Sequence, residues 1–127
     1  METRRTKQQQ SIREVLAEAG RPMSVQEVFE AALDAVPTIG LSTVYRTIRR
    51  LAEQGEIAAV AVPGQPDRYE LADVAATHHH HFHCTACDRV FDVRGCVGGL
   101  DRMLPPGFQL RGHELTLSGV CSGCAAP

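Results

Sequence analysis

At 127 residues the chain has room for one ordinary domain or two small ones that each bury little core, and no apolar run approaches the length of a membrane span. Its net charge of −2 argues by itself against a nucleic-acid partner, but the charge is unevenly divided. Residues 1–50 carry eight Lys/Arg against six Asp/Glu, and residues 51–127 carry five against nine. Residues 1–10 are polar and basic, without the apolar segment of a secretory signal. The five cysteines are an odd number, which suits reduced, metal-binding thiols better than disulfides, so a cytoplasmic location is expected.

Three helical patterns occupy the first 55 residues. Over residues 6–19, Ile12, Val15, Leu16 and Ala19 recur at intervals of three and four, and Gly20-Arg21-Pro22 ends the pattern. Arg4, Arg5 and Lys7 lead into it as a charged terminus expected to be flexible, with phosphate or minor-groove contact as the alternative. Ser24 stands three residues before Glu27, a capping box for a second helix with Val25, Val28, Phe29 and Leu33 on one face. Residues 37–40 break that helix. Ser42 is the expected N-cap of a third, which runs to about Gln54 and stops at Gly55. Residues 57–62 then read as a strand, 63–67 as a turn and 68–71 as the returning strand.

Three helices followed by a hairpin is the order of a winged helix-turn-helix, which places a DNA-binding domain over residues 1–73. Under that reading Ser42 and Thr43 offer hydroxyls to phosphate, Tyr45 an aromatic face to thymine methyls and Arg46 a guanidinium to guanine. Arg49 and Arg50 are phosphate contacts or solubilising charge. An ordinary three-helix unit with a solvated polar face explains the same pattern, and the residues alone leave the two readings open.

Residues 74–127 are dominated by side chains that bind metals. His78, His79, His80, His81 and His83 fall within ten residues of Cys84-x-x-Cys87, and Cys121-x-x-Cys124 closes the chain. Two such pairs supply the four thiolates of a tetrahedral structural zinc site, with each pair on a tight turn. The gap between them, residues 88–120, exceeds that of a usual zinc ribbon, so the ion must staple two distant elements. On an extended strand, His79 and His81 face one side, while His78 and His80 face the other and can serve a second ion. His83 shares the face of His79 and His81 but is expected to be a polar surface or hinge residue. Cys96 is the odd thiol. Burial as a small apolar residue is the bland expectation for it, and ligation to a soft-metal ion the sharper one.

Residues 40–47 (Gly-Leu-Ser-Thr-Val-Tyr-Arg-Thr), the histidine run leading into Cys84-x-x-Cys87, and His113 ahead of Cys121-x-x-Cys124 follow one another as in the ferric uptake regulator family, which the chain resembles from about Thr6 to Cys124. The resemblance implies an α+β chain: an N-terminal winged helix-turn-helix that binds an inverted repeat in double-stranded DNA, and a small C-terminal α/β dimerisation domain over residues 74–127 stapled by the four-cysteine zinc. It implies a homodimeric, metal-sensing transcriptional repressor with Tyr45 and Arg46 as base-contacting residues. The matching regulatory ligands are Glu70, His79, His81 and Asp92, and a second site adds His113 to the face of His78 and His80, with Cys96 or Asp101 as the stand-in for its glutamate. Three positions depart from the pattern. Pro22-Met23 stand where iron and peroxide sensors carry a further histidine, Gly99 where the second site has a glutamate, and Gln9 where many members carry an arginine. The first loss leaves a mixed N/O set suited to four-coordinate zinc, and together with Cys96 it tilts the reading toward the zinc uptake regulators; the alternative is an iron-responsive or peroxide-sensing regulator of the same family, with Fe2+ or Mn2+ as the regulatory ion.

Readings from other classes fit less of the chain. A thiol oxidoreductase needs an exposed, low-pKa cysteine at a helix N-terminus, and no such pattern surrounds Cys84 or Cys121. A hydrolytic zinc enzyme needs a general base and oxyanion donors that do not stand out, so no enzyme is expected. A cytoplasmic metal buffer leaves the first 70 residues unexplained.

Overall fold

The computed structural model describes residues 4–77 and 79–125, which fall into two compact units divided after residue 77. The first unit begins with α1 (Arg4–Ala19), α2 (Val25–Ala35) and α3 (Leu41–Glu53). Its core collects Ile12 and Leu16 from α1, Val28 and Ala32 from α2, and Val44, Ile48 and Leu51 from α3. Each set recurs at three- or four-residue spacing, which puts it on one face of its helix. Arg4 to Lys7 belong to α1 rather than to a flexible arm.

The capping box holds. The Glu27 amide donates to Ser24 Oγ at 3.1 Å, and the Ser24 amide donates to Glu27 Oε1 at 3.1 Å. The start of α3 corrects the expected cap: Gly40 is the N-cap, with no side-chain cap bond, and Ser42 lies inside the first turn. The end of α3 is as expected. Gly55 takes φ +76, while its amide donates to the Ala52 carbonyl and that of Glu56 donates to Leu51, closing the helix with a left-handed residue only glycine adopts without strain.

Strands β1 (Ile57–Val62) and β2 (Gln65–Leu71) pair antiparallel from Ile57↔Leu71 to Val62↔Gln65, so the turn is tighter than the 63–67 span expected. Met23 adds a short third edge, exchanging two backbone bonds with Tyr69 at 2.9 and 2.8 Å. Under this hairpin Arg68 is 3% exposed. It donates to Glu27 Oε1 at 3.0 Å and to Gln65 Oε1 at 2.7 Å, while Arg21 reaches Glu27 Oε2 at 2.7 Å. Burial opposes ionisation of Glu27, but the bonds from Arg21 and the Ser24 amide, with the charges of Arg21 and Arg68, outweigh it and hold the carboxyl below the usual range. A four-residue helix, α4 (Ala72–Ala75), follows β2 and is tied to the α3–β1 turn through the Ala72 amide and the Glu56 carbonyl.

The second unit is a three-stranded sheet of β3 (His80–Cys84), β4 (Val90–Val93) and β5 (Thr116–Gly119) in the order β4-β3-β5. Strand β4 runs antiparallel to β3, and β5 runs parallel to it. Among the described residues this unit has no α-helix, only a single 3-10 turn, Leu100–Met103, so the expected α/β layering is replaced by a bare sheet with long connections. Gly-rich residues 95–99 and the prolines at 105 and 106 deny the connection a helical run. Cys84, Val90 and His80 are its buried side chains, whereas Val97, Met103, Phe108, Leu110, Leu117 and Val120 are exposed.

Candidate metal centres and DNA-facing helix

Sheet topology explains how cysteine pairs so far apart in sequence meet. Strands β3 and β5 are parallel with Cys84 opposite Gly119, so the turns that follow them leave the sheet at the same end. The first turn closes with the Asp88 amide donating to the Cys84 carbonyl at 2.8 Å and Asp88 at φ +65. The second closes with the Cys124 amide donating to the Cys121 carbonyl at 3.0 Å. The sulfurs of Cys84, Cys87, Cys121 and Cys124 all lie within 4.8 Å of one another, and Cys87 Sγ and Cys121 Sγ are 3.9 Å apart. Thiolates about 2.3 Å from one zinc stand about 3.8 Å apart along the edges of the tetrahedron, whereas a disulfide needs about 2.05 Å. The donor set therefore fits a four-thiolate ion.

Local electrostatics favour the same occupant. The amides of Cys121 and Cys87 each donate to Cys84 Sγ at 3.4 Å, and with a smaller opposing effect of burial they hold its thiol down at about 6. Hydrogen bonds to the Cys121 and Cys87 sulfurs push the Cys124 thiol up to about 12. Four crowded thiols cannot share four negative charges without a cation among them.

A second convergence lies on the other end of the hairpin. The β3–β4 register sets His81 directly opposite Asp92, and His79 lies two residues upstream of His81. Asp92 Oδ1 stands 3.3 Å from His79 Nε2 and 3.4 Å from His81 Nε2, with the two rings edge to face at 4.8 Å. Donors that share one divalent ion stand about 2.9–3.4 Å apart for bonds of about 2.05 Å, so the three side chains are placed to hold one ion together. Glu70, the fourth expected ligand, is buried on β2 of the first unit, opposite Ala58.

The third convergence uses the opposite face of β3. His113 Nε2 lies 3.2 Å from His80 Nε2 and 3.3 Å from Cys96 Sγ. Cys96 is exposed, which corrects the expectation that it is buried as an apolar residue. It sits beside two imidazoles, while Gly99, where a glutamate was expected for this site, occupies a left-handed turn at φ +78. His78 lies outside the described residues. His83 joins neither histidine cluster; its Nε2 meets Asp88 Oδ1 at 2.6 Å, bracing the first cysteine turn. Sequence reasoning missed Asp88; the available signal was an Asp directly after the Cys84-x-x-Cys87 turn, a residue type that tolerates the left-handed backbone found there at φ +65.

On α3, Ser42, Tyr45, Arg46 and Arg49 are exposed and Thr43 is half-buried. Tyr45 is 57% exposed. Arg46 Nη2 donates to Thr43 Oγ1 at 3.3 Å, so the two present one polar ridge, and Val44, Thr47, Ile48 and Leu51 anchor the inner face.

A helical N-terminal unit joined to a sheet studded with metal-donor clusters defines a class of metal-responsive regulator, and the comparisons with known proteins agree. The sequence pattern of the Ferric uptake regulator family matches residues 1–118, and the chain belongs to that family of metal-responsive transcription regulators, whose members bind DNA and are usually dimeric. It is 29% identical over 109 residues to the ferric uptake regulation protein of Synechococcus elongatus, covering 84% of this chain and 74% of that protein. It superposes on a zinc-bound manganese uptake regulator with TM-score 0.76 and 27% identity, covering 94% of this chain and 91% of the other. FurB of M. tuberculosis, a zinc uptake regulator, gives TM-score 0.52 and 26% identity over 96% of this chain and 95% of that one. No described helix is long and apolar enough to cross a membrane.

Proposed function

We propose that the protein is a zinc-responsive, homodimeric repressor of zinc uptake genes that acts on DNA in the cytoplasm. The observation that carries the choice of zinc is the donor set itself: two imidazoles and one carboxylate, His79, His81 and Asp92, converge within 3.3 and 3.4 Å, a mixed N/O set of the kind four-coordinate zinc accepts, while Pro22-Met23 stand where iron sensors carry a further histidine. In this reading Cys84, Cys87, Cys121 and Cys124 hold a permanent zinc, and His79, His81 and Asp92 hold the sensed one. Glu70 is assigned as a further ligand of the sensed ion on the family resemblance. An ion that draws ligands from both units links its own occupancy to the placement of the DNA-binding unit, with a coupling on the order of 1–3 kcal/mol.

Residues 1–73 then act as a winged helix. Helix α3 enters the major groove with Tyr45 and Arg46 toward base edges and Ser42, Thr43 and Arg49 toward phosphate. A second copy of the chain covers the exposed apolar residues of the C-terminal unit, among them Met103 at 79% and Phe108 at 66% exposure, and pairs two recognition helices for an inverted repeat.

The test is retention of sheared host DNA on the purified protein across buffered free zinc, with iron(II) and manganese(II) in parallel. Sequence-selective capture that switches on with trace zinc is the expected result. Capture that requires iron or manganese instead overturns the zinc assignment, and no capture with any of them overturns the repressor. Tyr45→Ala with Arg46→Ala is expected to abolish capture while leaving zinc content unchanged.

A further inference from the structure

Helices α1 and α2 border a groove of about 370 Å³, at the small end of the range for small-molecule sites. It lies wholly within the helical unit and shares no residue with the metal donors or with the exposed ridge of α3. Two chemistries line it. Val15 from α1 and Ala31 from α2 are half-buried and give it an apolar floor, while Glu14 and Glu18 from α1 and Asp34 from α2 are exposed. The ion pairs of this unit engage other residues, Arg13 with Glu56 and both Arg21 and Arg68 with Glu27. Among the described residues no Lys, Arg or His lines the groove. Glu14 and Glu18 stand four apart on one helix, where like charges repel. Ser11 is an independent mark of a ligand. It lines the groove at 8% exposure, and its Oγ is buried without a hydrogen-bond partner. A serine inside a helix ordinarily bonds back to the carbonyl one turn earlier; this hydroxyl does not, and its acceptor sites are left unused.

We propose that this groove binds an aliphatic polyamine, its methylenes on the apolar floor and its ammonium groups on Glu14, Glu18, Asp34 and the Ser11 hydroxyl. Residues four apart on a helix are separated by about 6 Å along its axis. Nitrogens joined by four methylenes also stand about 6 Å apart at ordinary single-bond lengths. One such diamine unit therefore matches the Glu14–Glu18 spacing, and a further ammonium faces Asp34 across the groove. An alkylammonium, like the head group of lysine, donates three hydrogen bonds, enough for a carboxylate and the Ser11 hydroxyl together. Other occupants fit less of the groove. A bare metal cation gains nothing from the Val15–Ala31 floor, and a neutral apolar ligand leaves the Ser11 hydroxyl unpaired and the carboxylates stripped of water. A basic peptide matches the charge, but its backbone amides need partners, and the backbone groups of α1 and α2 are already spent within their helices.

The experiment titrates spermidine into the full-length, zinc-loaded protein without DNA and follows the backbone amides by NMR, at about 0.15 M salt so that loose surface charge is screened. Saturable shifts confined to α1 and α2, at one spermidine per chain, are the expected result. Glu18→Gln with Asp34→Asn is expected to weaken binding at least about 10-fold. Ser11→Ala, with helix content unchanged by circular dichroism, is expected to weaken it about 3-fold or more. Butylamine keeps the methylenes but carries one charge, and it is expected to bind at least about 10-fold more weakly than spermidine. Shifts spread over residues 51–127, or an affinity unchanged in the double carboxylate variant, overturn the site. An affinity unchanged in Ser11→Ala overturns the role of the hydroxyl. Magnesium chloride at equal ionic strength that reproduces the shifts, or a trilysine peptide that binds more tightly than spermidine, overturns the polyamine as occupant. DNA capture is read separately, so failure of this site and failure of the repressor remain distinguishable.

Discussion

The two units of this chain reach order by opposite routes. Residues 4–77 carry a cluster of ten buried apolar side chains drawn from three helices, the connections between them and the first strand of the hairpin. Residues 79–125 bury Cys84, Val90 and His80 and leave six large apolar residues exposed. The first unit has enough apolar surface out of water to fold on burial. The second is held by its strand pairings and carries three sets of nitrogen, oxygen and sulfur donors. A small unit with little core gains its missing stability from a bound ion, because a preformed donor set does not exist in the unfolded chain and binding is then coupled to folding.

Metal removal is the strongest way to break that contrast. Stripping the four-cysteine ion, or replacing Cys121 with Ser, is expected to unfold residues 79–125 and leave residues 4–77 folded, since structural zinc contributes on the order of 10 kcal/mol. Hydrogen exchange resolved by segment checks it, and protection lost equally in both units would refute the division. Leu51→Ala tests the other side. Leu51 is fully buried in the helical core, and the truncation is expected to cost about 2–5 kcal/mol in denaturant unfolding of the first unit with zinc content unchanged.

Acid sharpens the comparison at a smaller scale. The Glu27 carboxyl is held below its usual pKa in the folded state, so its contribution is present above the unfolded value and lost as pH falls through the folded one. Glu27→Gln is therefore expected to lower stability at neutral pH by about 1–3 kcal/mol and to flatten the decline of the first unit below about pH 5, read from Tm against pH. Gly55→Ala is the mildest change. No atom lies within 4 Å of where the new Cβ would sit, so only the left-handed backbone at φ +76 opposes it, and a loss of about 1 kcal/mol is expected in the same unfolding assay.

Periodicity made the first unit legible. Ile12, Leu16, Val28, Val44, Ile48 and Leu51 all occupy the faces that spacing predicts, and the Ser24–Glu27 box and Gly55 mark real helix ends. Ser42 misled because a serine early in a helix is equally at home in the first turn, where its hydroxyl faces solvent; the helix is capped two residues earlier, at Gly40. The second unit was legible in its donors and illegible in its layers. Its expected helix shrank to residues 100–103, since glycines and prolines on either side leave no run long enough to close successive helical bonds.

The sequence by itself marked the candidates: the two cysteine pairs and the alternating histidines by residue type and spacing, Asp92 by the family resemblance, and the polar face of α3 as one of two open readings. Residue type and a period of two or three to four are local properties, readable without a partner element. Only the tertiary structure decided which donors share a centre. The parallel pairing of β3 with β5 brings Cys121 and Cys124 to Cys84 and Cys87, the β3–β4 register sets Asp92 against His81, and the loop path delivers Cys96 and His113 to His80. Those meetings join residues far apart in sequence, and strand register and loop course, set by the whole sheet, are what fix them.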